Sequence, residues 1–202
     1  EEAMNRITNR IHSFYVKHNL LADLEEQPGK RFTANGVIYS YEKNEIWQIG
    51  DCQCLFGNTY SSNEKEIDAI MVNEVALLNG MTMEDLEKKD PGRAFIYPFL
   101  QQQAVLQNNP KKGQLYSFPV FDGFPIQMEQ VKIFPVGDVR EIILSSDGYP
   151  HLFSTLRDSE CYLMNILDND PLCMRLYKST KGIKKGNFSF DDRSYLKIRI
   201  NR

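Results

Sequence analysis

Two acidic stretches are the parts of this 202-residue sequence best placed to do chemistry. The first runs from Glu141 through Ile142-Ile143-Leu144-Ser145-Ser146 to Asp147-Gly148-Tyr149-Pro150. An apolar run of this kind reads as a buried strand, and here it delivers a carboxylate, followed at once by glycine, to the end of a sheet. A carboxylate held there is open to solvent or to a hard divalent cation. Asp-Gly is also a common turn dipeptide, so an ordinary strand-ending turn is the competing reading. The second stretch is Phe188-Ser189-Phe190-Asp191-Asp192-Arg193-Ser194, directly before a closing strand. Adjacent aspartates repel, and Mg²⁺ or Mn²⁺, which favour carboxylate oxygen and water, relieve that repulsion. The alternative is a solvated turn with Arg193 as local counter-charge.

Other groups invite weaker chemistry. Cys52-Gln53-Cys54 with His12, His18 or His151 imitates a zinc set, but cysteines on one face of a strand are usually core thiols. His151 closely follows Asp147-Gly148 and reads either as a general acid or as a surface histidine opening a helix. A nucleophile elbow and a phosphate-binding glycine loop are both missing, which argues against serine hydrolases and P-loop nucleotide hydrolases. Trp47, Tyr39 and Tyr41 read as hairpin packing residues.

The elements that must position these residues follow from periodicity and punctuation. Met4, Ile7, Ile11, Phe14 and Tyr15 make one stripe, predicting an amphipathic helix from about Ala3 to Leu24, ended by the polar run to Pro28-Gly29. Val37 to Tyr41 and Glu45 to Phe56 predict a β-hairpin with a bulge at Gly50-Asp51. Helices are expected from Asn63 to Gly80, after Thr82, and within Ala94 to Gln107. Leu115 to Val120, Gln127 to Phe134 and Glu141 to Ser146 predict an antiparallel meander. Leu152 to Leu167 is a helix, Asp170-Pro171 opens another, and Tyr195 to Ile200 alternates as a closing strand. This order of strands and helices argues for α+β, sheets flanked by helices, in a single domain over 1–202.

Composition bounds the rest. With 42% hydrophobic and 25% charged residues the chain can build a sizeable core, and a net charge of −3 with scattered Lys and Arg gives no electrostatic reason to expect nucleic acid. Apolar runs long enough to span a bilayer, and a basic-then-apolar leader, are not found, so no membrane role is expected. Four cysteines without the spacing of a disulfide framework suit a reducing cytoplasm. The sequence opens on Glu1, and a fragment of a longer protein is expected.

Leu144-Ser145-Ser146-Asp147-Gly148 is similar to the Ser-Asp-Gly motif of type 2C (PPM-type) metal-dependent protein phosphatases, and Asp191-Asp192-Arg193-Ser194 resembles their terminal Asp-Asn or Asp-Asp motif. Upstream, Phe32-Thr33-Ala34 and Ile49-Gly50-Asp51-Cys52 are similar to the family's Gly-Thr-Thr-Ala strand and Gly-Asp-Ser-Arg turn, with Cys52-Gln53 replacing Ser-Arg. The four elements stand in the family's order over about residues 10 to 200. The resemblance implies the C-terminal part of a type 2C phosphatase-like β-sandwich with its N-terminal strands missing. It implies a phosphoserine or phosphothreonine protein as substrate, and two Mn²⁺ or Mg²⁺ ions in the complete domain. Asp147 and Asp191 would be metal ligands, Asp192 and Gly148 would support them, and Asp51 would shape the neighbouring turn. The family's first acidic strand, its phosphate-binding Arg and its Asp-Gly-His-Gly motif have no counterpart here, so the fragment is expected to be inactive alone and prone to self-associate through uncovered edges. The alternative is a non-enzymatic pseudophosphatase that binds a partner through the helices between Asn63 and Gln107.

Overall fold

Asn19, rather than the Pro28-Gly29 run, ends the first helix. The computed structural model describes residues 1–62, 97–98, 102–109, 117–173, 175–179, 183 and 187–201. Helix α1 spans Glu2–Lys17, and Asn19 then takes a positive φ of 56° while the Leu20 N–H reaches back to Tyr15 O at 3.0 Å. Asparagine tolerates this left-handed conformation, which closes the last turn. The chain restarts as a short helix, α2 (Leu21–Glu26). The buried line of α1 is Met4, Thr8 and Tyr15, with Ile7 and Phe14 on its shoulders at 39% and 43% exposure, so the stripe is rotated from the one the apolar residues suggest.

The chain forms two compact units, Glu1–Cys52 with Phe99–Asp138 and Gln53–Pro98 with Val139–Arg202. Its class is α+β, with two antiparallel sheets. In the first unit β1 (Gly36–Ser40) and β2 (Glu45–Ile49) form the expected hairpin, and β5 (Lys132–Pro135) pairs on the other side of β2. Met4, Trp47, Ile49, Phe121 and Val131 make its core. Tyr41 stands 72% exposed and is no packing residue.

In the second unit the sheet order is β4-β3-β6-β7, from β3 (Gln53–Phe56), β4 (Thr59–Ser61), β6 (Glu141–Ser145) and β7 (Tyr195–Arg199). Residues Ile142 to Leu144 of β6 are all buried, as an unbroken apolar run in a central strand requires. Helix α3 (Leu156–Asn169) starts at Thr155, whose Oγ1 accepts the Asp158 N–H at 3.1 Å. This satisfies one of the N–H groups that every helix start leaves without a partner. Ile143, Tyr149, Leu152 and Leu163 form the core beside it.

Three further expectations are corrected. The interruption at Gly50-Asp51 is a strand break, not a bulge: Gly50 has φ +75°, and the chain passes there from the three-stranded to the four-stranded sheet. The meander does not form, because β5 pairs with β2 whereas β6 pairs with β3 and β7. Asp170 opens no helix among the described residues. It ends α3, and its Oδ2 accepts the N–H groups of Arg175, Leu176 and Tyr177 at 2.8, 2.7 and 3.3 Å, folding the following loop around one carboxylate. The helices expected from Asn63 to Gly80 and after Thr82 lie outside the described residues, as does part of the stretch from Ala94 to Gln107, of which the described part holds a 3-10 turn at Ala104–Leu106. Among the described residues no helix is long and apolar enough to cross a membrane.

Candidate functional site

The two acidic stretches lie against each other at one end of the second unit's sheet. β6 and β7 are antiparallel, with Ser145 opposite Tyr195, and the pairing continues past the strand ends through side chains. Ser146 N–H donates to Ser194 Oγ at 3.2 Å and Ser194 N–H donates to Ser146 Oγ at 2.9 Å, a reciprocal pair that takes up two backbone donors just where the ladder stops. Ser145 Oγ adds a bond to Ser194 O at 2.7 Å. Polar serines in place of a further apolar pair thus end the strand and still hold the two segments in register.

Gly148 completes this approach. A Cβ there would stand 2.3 Å from Asp192 O and 2.6 Å from Arg193 Cβ, so only glycine lets the Asp191 turn pack against the Asp147 turn. Asp147, half-buried, is flanked on one side by the Ser146–Ser194 pair and on the other by the Gly148–Asp192 contact. Asp191 and Asp192 are exposed, and the Asp192 N–H donates to Asp191 Oδ1 at 2.9 Å. Of the candidate residues, Asp147, Gly148, Asp191 and Asp192 therefore belong to one pair of adjoining turns. Asp51 lies in the first unit, in the turn that leaves β2, where its carboxylate accepts an N–H from the Asn35 side chain.

Around these turns stand residues that motif reasoning did not single out. Gln53, buried at the start of β3, donates from Nε2 to Tyr149 O at 2.6 Å and accepts from Tyr60 Oη at 2.8 Å, so it supports the Ser-Asp-Gly turn from beneath. Arg193 is not a counter-charge confined to its own turn. Its guanidinium forks onto Glu160 of α3, with Nε 2.9 Å from Oε1 and Nη2 2.8 Å from Oε2, and lies over the Tyr149 ring at 5.7 Å. The Tyr149 hydroxyl donates to the same Glu160 Oε1. No local pattern announces Glu160, because the link spans 33 residues. Tyr149, Glu160 and Arg193, with Phe188, Asp191 and Asp192, line an open cleft of about 840 Å³.

The electrostatics follow from these contacts. Arg193 holds the Glu160 carboxyl below the usual carboxylate range, first through its hydrogen bond. Burial, then the bond to Glu160, pushes the Tyr149 phenol from 10.0 up to about 12. The folded state thus favours the protonated phenol, so this stabilisation is full below pH 10.0 and is lost as pH rises towards about 12. Unfolding free energy measured by urea titration should accordingly fall more steeply above pH 10.0 in the native chain than in Tyr149→Phe. Parallel slopes would contradict the assignment.

His151 is packed among aromatic rings, with Tyr60 at 4.3 Å and Phe153 at 5.0 Å between centroids. Cys52 and Cys54 are both buried, as core thiols are. Among the described residues no group of three His, Cys, Asp or Glu side chains is arranged to hold a metal ion. The acidic turns carry carboxylate oxygens, the hard donors that divalent cations favour. Comparison with protein-family models, with curated proteins and with solved structures finds no match for this chain.

Proposed function

We propose that this chain contributes the Ser-Asp-Gly and Asp-Asp half of a type 2C-like, Mg²⁺- or Mn²⁺-dependent phosphatase site acting on phosphoserine or phosphothreonine proteins. The observation that supports it most is the joining of the two acidic turns by the reciprocal Ser146–Ser194 pair, 48 residues apart in the chain, and by the Gly148–Asp192 contact. The antiparallel pairing of β6 with β7 sets the two turns side by side, and the Gly148–Asp192 contact brings them close. Asp147 and Asp191 would hold metal, while Gly148 and Asp192 keep the turns in contact. When bound, two divalent ions supply an acidified water and neutralise charge on phosphoryl oxygens. Two carboxylates suffice for weak binding with several retained waters, so turnover is assigned to a longer chain that adds further acidic ligands.

A second reading is a non-enzymatic member of the same fold serving as a protein-interaction module. One assay separates the two. In the longer protein, Mn²⁺-dependent release of phosphate from a phosphoserine peptide should fall at least about 100-fold in Asp147→Asn and in Asp191→Asn, the scale of losing a metal-held nucleophile. Release that is absent from the native protein, or unchanged in both variants, would leave the interaction module standing.

A further inference from the structure

We propose that Glu160 is the positioning residue of this site, a single carboxylate on α3 that fixes both acidic turns at once. The inference rests on the metal reading above, since it names what holds the proposed ligands in place.

Each turn reaches Glu160 through the residue two positions beyond its aspartate: Tyr149 after Asp147, and Arg193 after Asp191. The Arg193 fork occupies both Glu160 oxygens, and the Tyr149 hydroxyl takes a further lone pair on Oε1. With its oxygens so engaged, Glu160 is placed to orient and not to ligate.

The helix beneath it is itself fixed. Thr155 caps α3, and the fully buried Ser159, next to Glu160, accepts the Phe153 N–H at 2.9 Å and donates to Thr155 O at 3.1 Å. Leu163 of α3 packs in the same core as Tyr149, which sets the distance from helix to turn. Glutamine in place of Glu160 would keep one acceptor oxygen but turn an amide N–H₂ towards the Arg193 donors, opening one arm of the fork. The Asp191 turn would then be held by one arm of the fork, the serine bonds to Ser194 and the Gly148–Asp192 contact.

The test uses the full chain, native and Glu160→Gln, with two readouts. Amide hydrogen exchange at Ser146 and Ser194 reports the register of the turns, and a calorimetric Mn²⁺ titration reports the ligands. Asn165→Gly, which weakens α3 at an exposed position that touches neither turn, is the control. Exchange at Ser146 and Ser194 should quicken about 10-fold in Glu160→Gln, with the β6 and β7 amides unchanged, and Mn²⁺ affinity should fall about 10-fold, the effect typical of lost orienting partners. Asn165→Gly should leave Mn²⁺ affinity where it was.

If the native chain binds no Mn²⁺ but the two amides still quicken selectively, the positioning role is supported and the metal reading fails. Unchanged exchange at Ser146 and Ser194 overturns the positioning role whatever the metal does. So does an equal loss of protection throughout α3, β6 and β7, which would make Glu160 a general stabiliser.

Discussion

Replacing Gly148 by alanine should destabilise the second unit by about 3 kcal/mol, the upper end of what overpacking a tight contact costs. The added methyl would meet Asp192 O at 2.3 Å, Arg193 Cβ at 2.6 Å and Arg193 Cα at 3.0 Å. Most of this obstacle is backbone, so no rotamer change relieves it, and the segment from Asp191 to Ser194 must move. That movement pulls apart the Ser146–Ser194 pair, leaving two backbone N–H groups to find other partners. Hydrogen exchange along β6 and β7, with urea unfolding followed by far-ultraviolet dichroism, measures both consequences. A loss under about 1 kcal/mol with protection intact at Ser146 would show that the turns do not depend on their close approach.

The other large effect lies in the first unit. Asp122 is fully buried and pairs with Arg31 at 3.1 Å, where Arg31 itself is only 10% exposed. Its Oδ1 also accepts from Asn108 Nδ2 at 2.8 Å and from the Phe124 N–H at 3.0 Å. Asp122→Ala should cost about 3 kcal/mol, because it strands a buried guanidinium and two donors together. Asp122→Asn keeps an acceptor oxygen and should cost less. Trp47 is the sole tryptophan and lies in this unit's core, so its fluorescence follows the unfolding directly. An Asp122→Ala variant as stable as the native chain would mean that Arg31 finds other compensation, its bond to Leu24 O and its stacking on Phe124 being the available routes.

The sequence announced what is local and concealed what is not. β1, β2, β6, β7 and most of α3 were legible because β-branched and aromatic runs, apolar alternation and helical spacing are properties of neighbouring residues, whereas the Thr155 cap that starts α3 at Leu156 in place of Leu152 went unread. Strand partners were not. The meander failed because adjacency in the chain does not choose a pairing, and β6 took β3 and β7 in place of β5. Asp170-Pro171 misled for a related reason: aspartate before proline suits a helix start, but here the carboxylate was claimed by three N–H groups further on. Asn19 went unread since asparagine marks a helix end only when its backbone turns left-handed. At the site, Asp147, Gly148, Asp191 and Asp192 stood out by type and order, while Gln53, Tyr149 and Glu160 became visible only through contacts across strands and helix.

Those contacts bear on the central claim, that two acidic turns meeting at the end of β6 and β7 form half of a cation site. Its most direct test is a calorimetric Mn²⁺ titration of the purified chain beside its Asp147→Asn variant. Saturable binding by the native chain, lost in the variant while both unfold at the same urea concentration, is the predicted result. A native chain that binds no Mn²⁺, or a variant that binds it equally well, would contradict the claim.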